Sequence, residues 1–82
     1  MEMKAERAEV EAKLSFDGSI RPLAFMWRGR SMKVMSWGRQ WEKEGRRHFL
    51  VMTARDRVWE LRFMPATMTW SVHEKSNTRR VA

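Results

Sequence analysis

The sequence predicts a small all-β domain: a six-stranded antiparallel meander closed into a barrel of SH3-like size. Three stretches predict it. Residues 10–16 alternate apolar and polar side chains. Residues 23–34 pair across an Arg28-Gly29 turn with apolar partners on one face. Residues 48–72 hold three segments whose apolar positions agree on a face. The 82 residues fit one domain, 1–82, with a core over about 10–73 and a basic tail over 74–82. So short a chain must build an economical core, and nine aromatics, five of them Trp, supply it.

Residues 1–9 are rich in Ala, Glu, Lys and Arg and can form a short helical turn or start frayed; no apolar stripe at helical spacing runs through them. From Val10 the period is two: Val10, Ala12, Leu14 and Phe16 alternate with Glu11, Lys13, Ser15 and Asp17. A four-residue loop, Asp17–Ile20, sets Leu14 opposite Leu23, Ala12 opposite Phe25 and Val10 opposite Trp27. Pro22 falls at a strand start, where its missing N–H is tolerated. A two-residue turn at Arg28-Gly29 sets Trp27 opposite Arg30, Phe25 opposite Met32 and Leu23 opposite Val34; Gly29 supplies positive φ, and the turn type stays open. Beyond Val34, Met35 and Trp37 fall out of phase. Either a β-bulge re-aims them, the favoured reading, or they form an exposed apolar patch. Residues 38–47 read as a charged connection, with Trp41 folding back as a lid over the core. His48–Thr53 and Val58–Phe63 form a hairpin across 54–57, pairing Met52 with Trp59, Leu50 with Leu61 and His48 with Phe63. A second turn, Met64–Thr67, pairs Phe63 with Met68, Leu61 with Trp70 and Trp59 with Val72.

Net charge is +7 and unevenly spread: three bases and five acids in residues 1–20, fourteen bases and five acids in residues 21–82. A basic field of this kind favours an anionic partner, nucleic acid, an acidic protein or anionic lipid head groups, over a charge that serves solubility alone. Arg outnumbers Lys twelve to five, and Arg suits bidentate phosphate contact. There is no Cys, so disulfides and thiolate metal sites are excluded. No apolar run approaches membrane-spanning length, and residues 1–9 lack an apolar signal core. The sequence therefore predicts a cytoplasmic protein without a membrane partner.

Catalytic groups are sparse. By strand parity His48 ends the inward face and His73 lies on the opposite one, so they share no metal. Glu60 faces outward mid-strand; the other carboxylates of the basic region fall in turns or near strand ends. No nucleophile elbow or phosphate-binding glycine loop is present. No catalytic residue, metal ligand or cofactor is assigned, and the expectation is a non-enzyme.

Binding has more support. Phe49, Arg62 and Thr69 form one outward row on the last three strands, an aromatic beside an arginine on which a base can stack; alternatively the 38–47 loop or Trp41 covers Phe49. Arg28 and Arg30 stand at a turn tip, and Lys33, Arg39, Trp41, Arg46 and Arg47 extend the basic-aromatic stretch. The candidate nucleic-acid contacts are thus Arg28, Arg30, Lys33, Arg39, Trp41, Arg46, Arg47, Phe49 and Arg62. The expected function is salt-dependent, backbone-directed nucleic-acid binding by an accessory domain. The alternative is a protein-interaction module. It would dock through Met26, Met35 and Trp37, or add a strand at an open edge, with a second copy among its partners.

The runs F-M-W-R-G-R-S-M-K-V, G-R-Q-W-E, R-H-F-L-V and R-V-W-E-L-R-F, within roughly Pro22–Val72, resemble a family of small bacterial domains without an established activity. That family's pattern is an F-x-W-R-G-R hairpin, a Trp-containing connection and a V-[YW]-E-L strand. Phe25, Trp27, Arg28, Gly29, Arg30, Val34, Trp41, Val58, Trp59, Glu60, Leu61 and Trp70 are the matching positions. The chain departs from it at Ser31-Met32, where an aromatic is usual, and in its acidic N-terminal strand. Relatives are often encoded near Y-family DNA polymerases, so the resemblance implies a DNA-repair setting and nothing about mechanism.

Overall fold

The hairpin at Arg28-Gly29 forms in the expected register. The computed structural model describes residues 5–77, and in it β3 (Ile20–Trp27) pairs with β4 (Arg30–Lys33) through Trp27 with Arg30 and Phe25 with Met32. Arg28 and Gly29 have φ of 48° and 83°. Positive φ at both central residues is the type I′ signature, whose twist matches that of the flanking strands.

The chain is all-β, in two antiparallel sheets. One has five strands: β1 (Glu6–Ala8), β8 (Thr69–Asn77), β7 (Arg57–Met64), β6 (Arg46–Thr53) and β5 (Ser36–Lys43), in that spatial order. The other has three, β2 (Val10–Leu14) beside β3 beside β4. This corrects the expected six-stranded closed barrel: the described residues form eight strands in two sheets that do not join into a barrel, and the chain passes from one sheet to the other between neighbouring residues. The Val34 N–H donates to Leu23 in the small sheet, and the next N–H, of Met35, donates to Met52 in the large one. At the other crossing, Ala8 pairs with Trp70 while Val10 pairs with Phe25.

Two strands depart from the sequence expectation. β1 occupies part of the stretch read as helical or frayed; its three residues become a strand by pairing with β8. β5 occupies the expected connection. Its apolar alternation is hidden by an irregularity between Trp37 and Gln40, where the register with β6 shifts. β8 runs to Asn77, so part of the expected tail continues a strand, and residues 78–82 lie outside the described residues.

Turn length then decides which faces are buried. The β2–β3 turn is tighter than expected: Asp17 accepts from both the N–H and the hydroxyl of Ser19 at 2.9 and 2.8 Å. The backbone bond of Ser19, then its hydroxyl, hold the Asp17 carboxyl below its ordinary pKa. Val10 consequently meets Phe25, Ala12 meets Pro22 and Leu14 meets Ile20, with a register shift between Glu11 and Ala12. Leu14 and Phe16 stand in solvent. Between β6 and β7 the connection is three residues, Ala54–Asp56, with Arg55 and Asp56 at φ 65° and 57°. Thr53 therefore faces Arg57, Val51 faces Trp59 and Phe49 faces Leu61, one residue from the expected pairing. A one-residue slip exchanges the faces of a strand. Phe49 and Val51 enter the core, while Leu50, Met52 and His48 turn to the other face. The β7–β8 register differs by two, with Phe63 on Trp70 and Leu61 on Val72, which preserves the faces.

The core lies between the sheets: Ile20, Phe25 and Val34 from the small-sheet side, Phe49, Val51, Trp59, Leu61 and Val72 from the large one. Trp59 joins them. Its ring takes Phe25 and Trp27 edge-on at 5.0 Å each, and its indole N–H donates to the Thr53 hydroxyl at 2.9 Å.

The β5–β6 turn also has positive φ at both centres, 50° at Glu44 and 77° at Gly45. Asn visits this region at less cost than Glu. Glu44→Asn is expected to stabilise the fold by about 0.5 kcal/mol, read as a higher urea midpoint at unchanged slope.

Candidate nucleic-acid interface

The site is the face of the five-stranded sheet turned away from the core. Register aligns one row across all five strands: Arg7 on β1 beside Ser71 on β8, Ser71 beside Arg62 on β7, Arg62 beside His48 on β6, and His48 beside Trp41 on β5. At ~4.8 Å per strand the row is about 19 Å across. Lys43 and Arg46, paired with each other, stand on the same face one step along the strands. Arg39 lies over the Trp41 ring at 4.9 Å.

Aromatic and ionic contacts fix the middle of the row. Trp41 and His48 stack at 5.0 Å with an interplanar angle of 7°. His48 Nδ1 lies 2.7 Å from Glu60 Oε2, and Arg62 Nε donates to the same oxygen at 3.0 Å. Lys75 Nζ stands 3.6 Å from the other oxygen. Glu60 and His48 are both buried beneath these neighbours. Burial alone would raise the Glu60 pKa; the hydrogen bonds of His48 and Arg62, with the charges of Arg62 and Lys75, outweigh it and hold the carboxyl below its ordinary value. An ionised carboxylate only accepts hydrogen bonds, so His48 Nδ1 carries the proton. Register places no other acid on this face among the described residues, and the one present is neutralised where it stands. Arg7, Arg39, Lys43, Arg46, Arg62 and Lys75 leave the face strongly positive.

The structure gathers Arg39, Trp41, Arg46 and Arg62 here and disperses the remaining candidates. Phe49 is 1% exposed and packs on Trp70, so it offers no stacking platform; neither the 38–47 segment nor Trp41 covers it, and the slipped register puts it inside. Arg47 leans the other way and donates to Gly18 O at 3.1 Å, tying the large sheet to the β2–β3 turn. Arg28 lies over Trp27 at 4.5 Å and donates to Glu6 at 2.8 Å. Arg30 and Lys33 are exposed on β4, in the other sheet. Trp41 is a member of β5 rather than a lid. Met35 and Trp37 remain exposed, 60% and 37%; Trp37 nevertheless stands opposite the core residue Val51 and its Nε1 donates to Pro22 O at 2.7 Å, so it leans over the core edge toward the small sheet, and the irregularity in β5 falls just after it.

Sequence reasoning missed Arg7 and the burial of Glu60, and it set His48 on the inward face rather than on the outer one beside Arg62. Arg7 lies in a stretch that reads as helical. The parity argument for the two histidines also fails: Glu60 pairs with His73 in register, so His73 shares the outer face with His48. Among the described residues no three His, Cys, Asp or Glu side chains form a metal-binding group. No helix there is long and apolar enough to cross a membrane.

The chain matches no family model, no curated protein and no solved structure.

Proposed function

We propose that the protein binds nucleic acid through the outer face of the five-stranded sheet, chiefly by its phosphates. The observation that carries this reading is the set of bases on that face, Arg7, Arg39, Lys43, Arg46, Arg62 and Lys75, beside a single carboxylate among the described residues, Glu60, already satisfied by His48, Arg62 and Lys75. Such a strip neutralises phosphates and releases their counterions.

The tryptophans favour backbone contact over base stacking. Guanidinium groups lie over Trp37, Trp27, Trp59 and Trp41 at 4.2, 4.5, 4.8 and 4.9 Å, from Arg21, Arg28, Arg57 and Arg39. Trp70 packs between Phe49 and Phe63. A base would have to displace an arginine before stacking on an indole. The duplex, with the denser line of phosphates, is therefore the favoured ligand, held without base-sequence preference. The F-x-W-R-G-R resemblance adds a setting and no mechanism: relatives encoded near Y-family DNA polymerases would make DNA repair the context and DNA the first duplex to try.

Fluorescence anisotropy with labelled duplex and single-stranded oligonucleotides tests it. Micromolar binding is expected at ~50 mM salt, weakening roughly 150- to 500-fold by ~200 mM if four or five phosphates are contacted. Duplex should bind at least as tightly as single strand. Arg39→Gln and Arg46→Gln should each lower the salt slope by about one. A folded protein that binds neither oligonucleotide at low salt would sink the reading. The protein-interaction reading would then gain, supported by exposed Met35 and an apolar hollow of about 350 Å³ lined by Trp37, Leu50, Met52 and Val58.

A further inference from the structure

Arg7, Arg46 and Arg62 come from three different strands, β1, β6 and β7, and line one hollow of about 270 Å³ together with Ser71 and Thr69. We propose that this hollow seats a phosphomonoester, the terminal phosphate of a nucleic-acid strand, in preference to the internal diesters of the backbone. The identity of the carrier rests on the nucleic-acid reading; the chemistry of the seat rests on these side chains alone.

Charge and valence point to the monoester. An internal phosphodiester has one negative charge and two free oxygens. A terminal phosphate carries about −1.5 to −2 at neutral pH and presents three strong acceptor oxygens. Three guanidinium groups around one hollow match the second ligand better than the first, each able to donate in a forked pair. No acid lines the hollow. Among the described residues Arg7 and Arg46 have no carboxylate within ion-pair distance. Arg62 does, but it spends only Nε on Glu60, so its two terminal nitrogens stay available. Glu60 is thus a positioning residue, fixing the plane of the Arg62 guanidinium. The Ser71 hydroxyl lies between Arg7 and Arg62 in the row and adds a neutral donor. At about 270 Å³ the hollow has room for a terminal phosphate together with part of the sugar that carries it.

The test uses the full chain and duplexes of one sequence ending in a 5′-hydroxyl, a 5′-phosphate or a 3′-phosphate. Beside the anisotropy titrations, inorganic phosphate and a nucleoside monophosphate are titrated while the arginine Nε–H resonances are followed by NMR. A phosphorylated end of one polarity should tighten binding about tenfold over the hydroxyl end. Arg7→Gln and Arg46→Gln should each bring that ratio close to one, with amide spectra showing the variants folded. Duplexes that bind with no response to a terminal phosphate would overturn this proposal and leave the interface reading standing. No duplex binding, with arginine resonances that still shift with phosphate and cease to in Arg7→Gln, would keep the seat and overturn its nucleic-acid carrier. No response in any arm would overturn both.

Discussion

Trp59→Ala is expected to remove about 3–5 kcal/mol of stability, the cost of deleting a large aromatic from a core. A chain of 82 residues has roughly 4–12 kcal/mol in all. The variant should therefore lose between about a quarter and all of that stability. Trp59 is fully buried, and its deletion does more than open a cavity. Phe25 and Trp27 both meet its ring edge-on, and both belong to the three-stranded sheet. The substitution removes the contact by which the two sheets recognise each other and leaves the buried Thr53 hydroxyl without its indole donor. Trp59→Phe should be intermediate, costing about 2 kcal/mol, because it keeps a ring between the sheets while losing the hydrogen bond. Urea unfolding followed by circular dichroism measures both. A Trp59→Ala midpoint within experimental error of the parent would refute this account of the core.

Glu60→Gln should cost about 3 kcal/mol at neutral pH, the lower end of the range for removing one partner of a buried ionic cluster. The lower end applies because Arg62 and Lys75 are 33% and 44% exposed and can turn to water, while buried His48 cannot. The pH dependence separates this from a packing defect. The folded-state pKa of Glu60 lies below its ordinary value, so its stabilisation is fully present above the unfolded carboxyl pKa of about 4.3. It declines as pH falls through the folded value. The gap between parent and Glu60→Gln should hold down to about pH 5 and narrow progressively as the pH falls further, through the lowered folded-state value. A gap that persists unchanged into strong acid would show that the charge contributes nothing. Because Arg62 takes its orientation from Glu60, the same variant should also bind duplex more weakly than its stability loss explains.

The hairpin at residues 23–34 was legible because Gly29 marks the turn and five of its six paired side chains are apolar. The face of β6 was not. Phe49 and Val51 compete there with Leu50 and Met52, and apolar residues on both faces leave alternation nothing to choose between. The choice falls to a turn whose positive-φ residues, Arg55 and Asp56, announce no such conformation in sequence. That one-residue slip reversed the reading of the outer row, exchanging an imagined Phe49 platform for the His48–Glu60 cluster. The basic character of the site survived, because Arg39, Trp41, Arg46 and Arg62 point the same way once β5 is recognised as a strand. Arg7 was out of reach: three residues of polar sequence become a strand only in the presence of β8.

The pairing of Glu6 with Val72 and Ala8 with Trp70 constrains the order in which the molecule can be completed. Synthesis delivers β1 first and β8 last, so the first strand has no partner until nearly every other strand has been made. The hairpins close over short loops and can form early; β1 on β8 closes the longest loop, and its entropy is the last to be recovered. Arg7 travels on that strand. A nascent chain that has not yet released β8 therefore displays its other arginines without the hollow they form with Arg7, and the proposed anion seat is completed only late in folding.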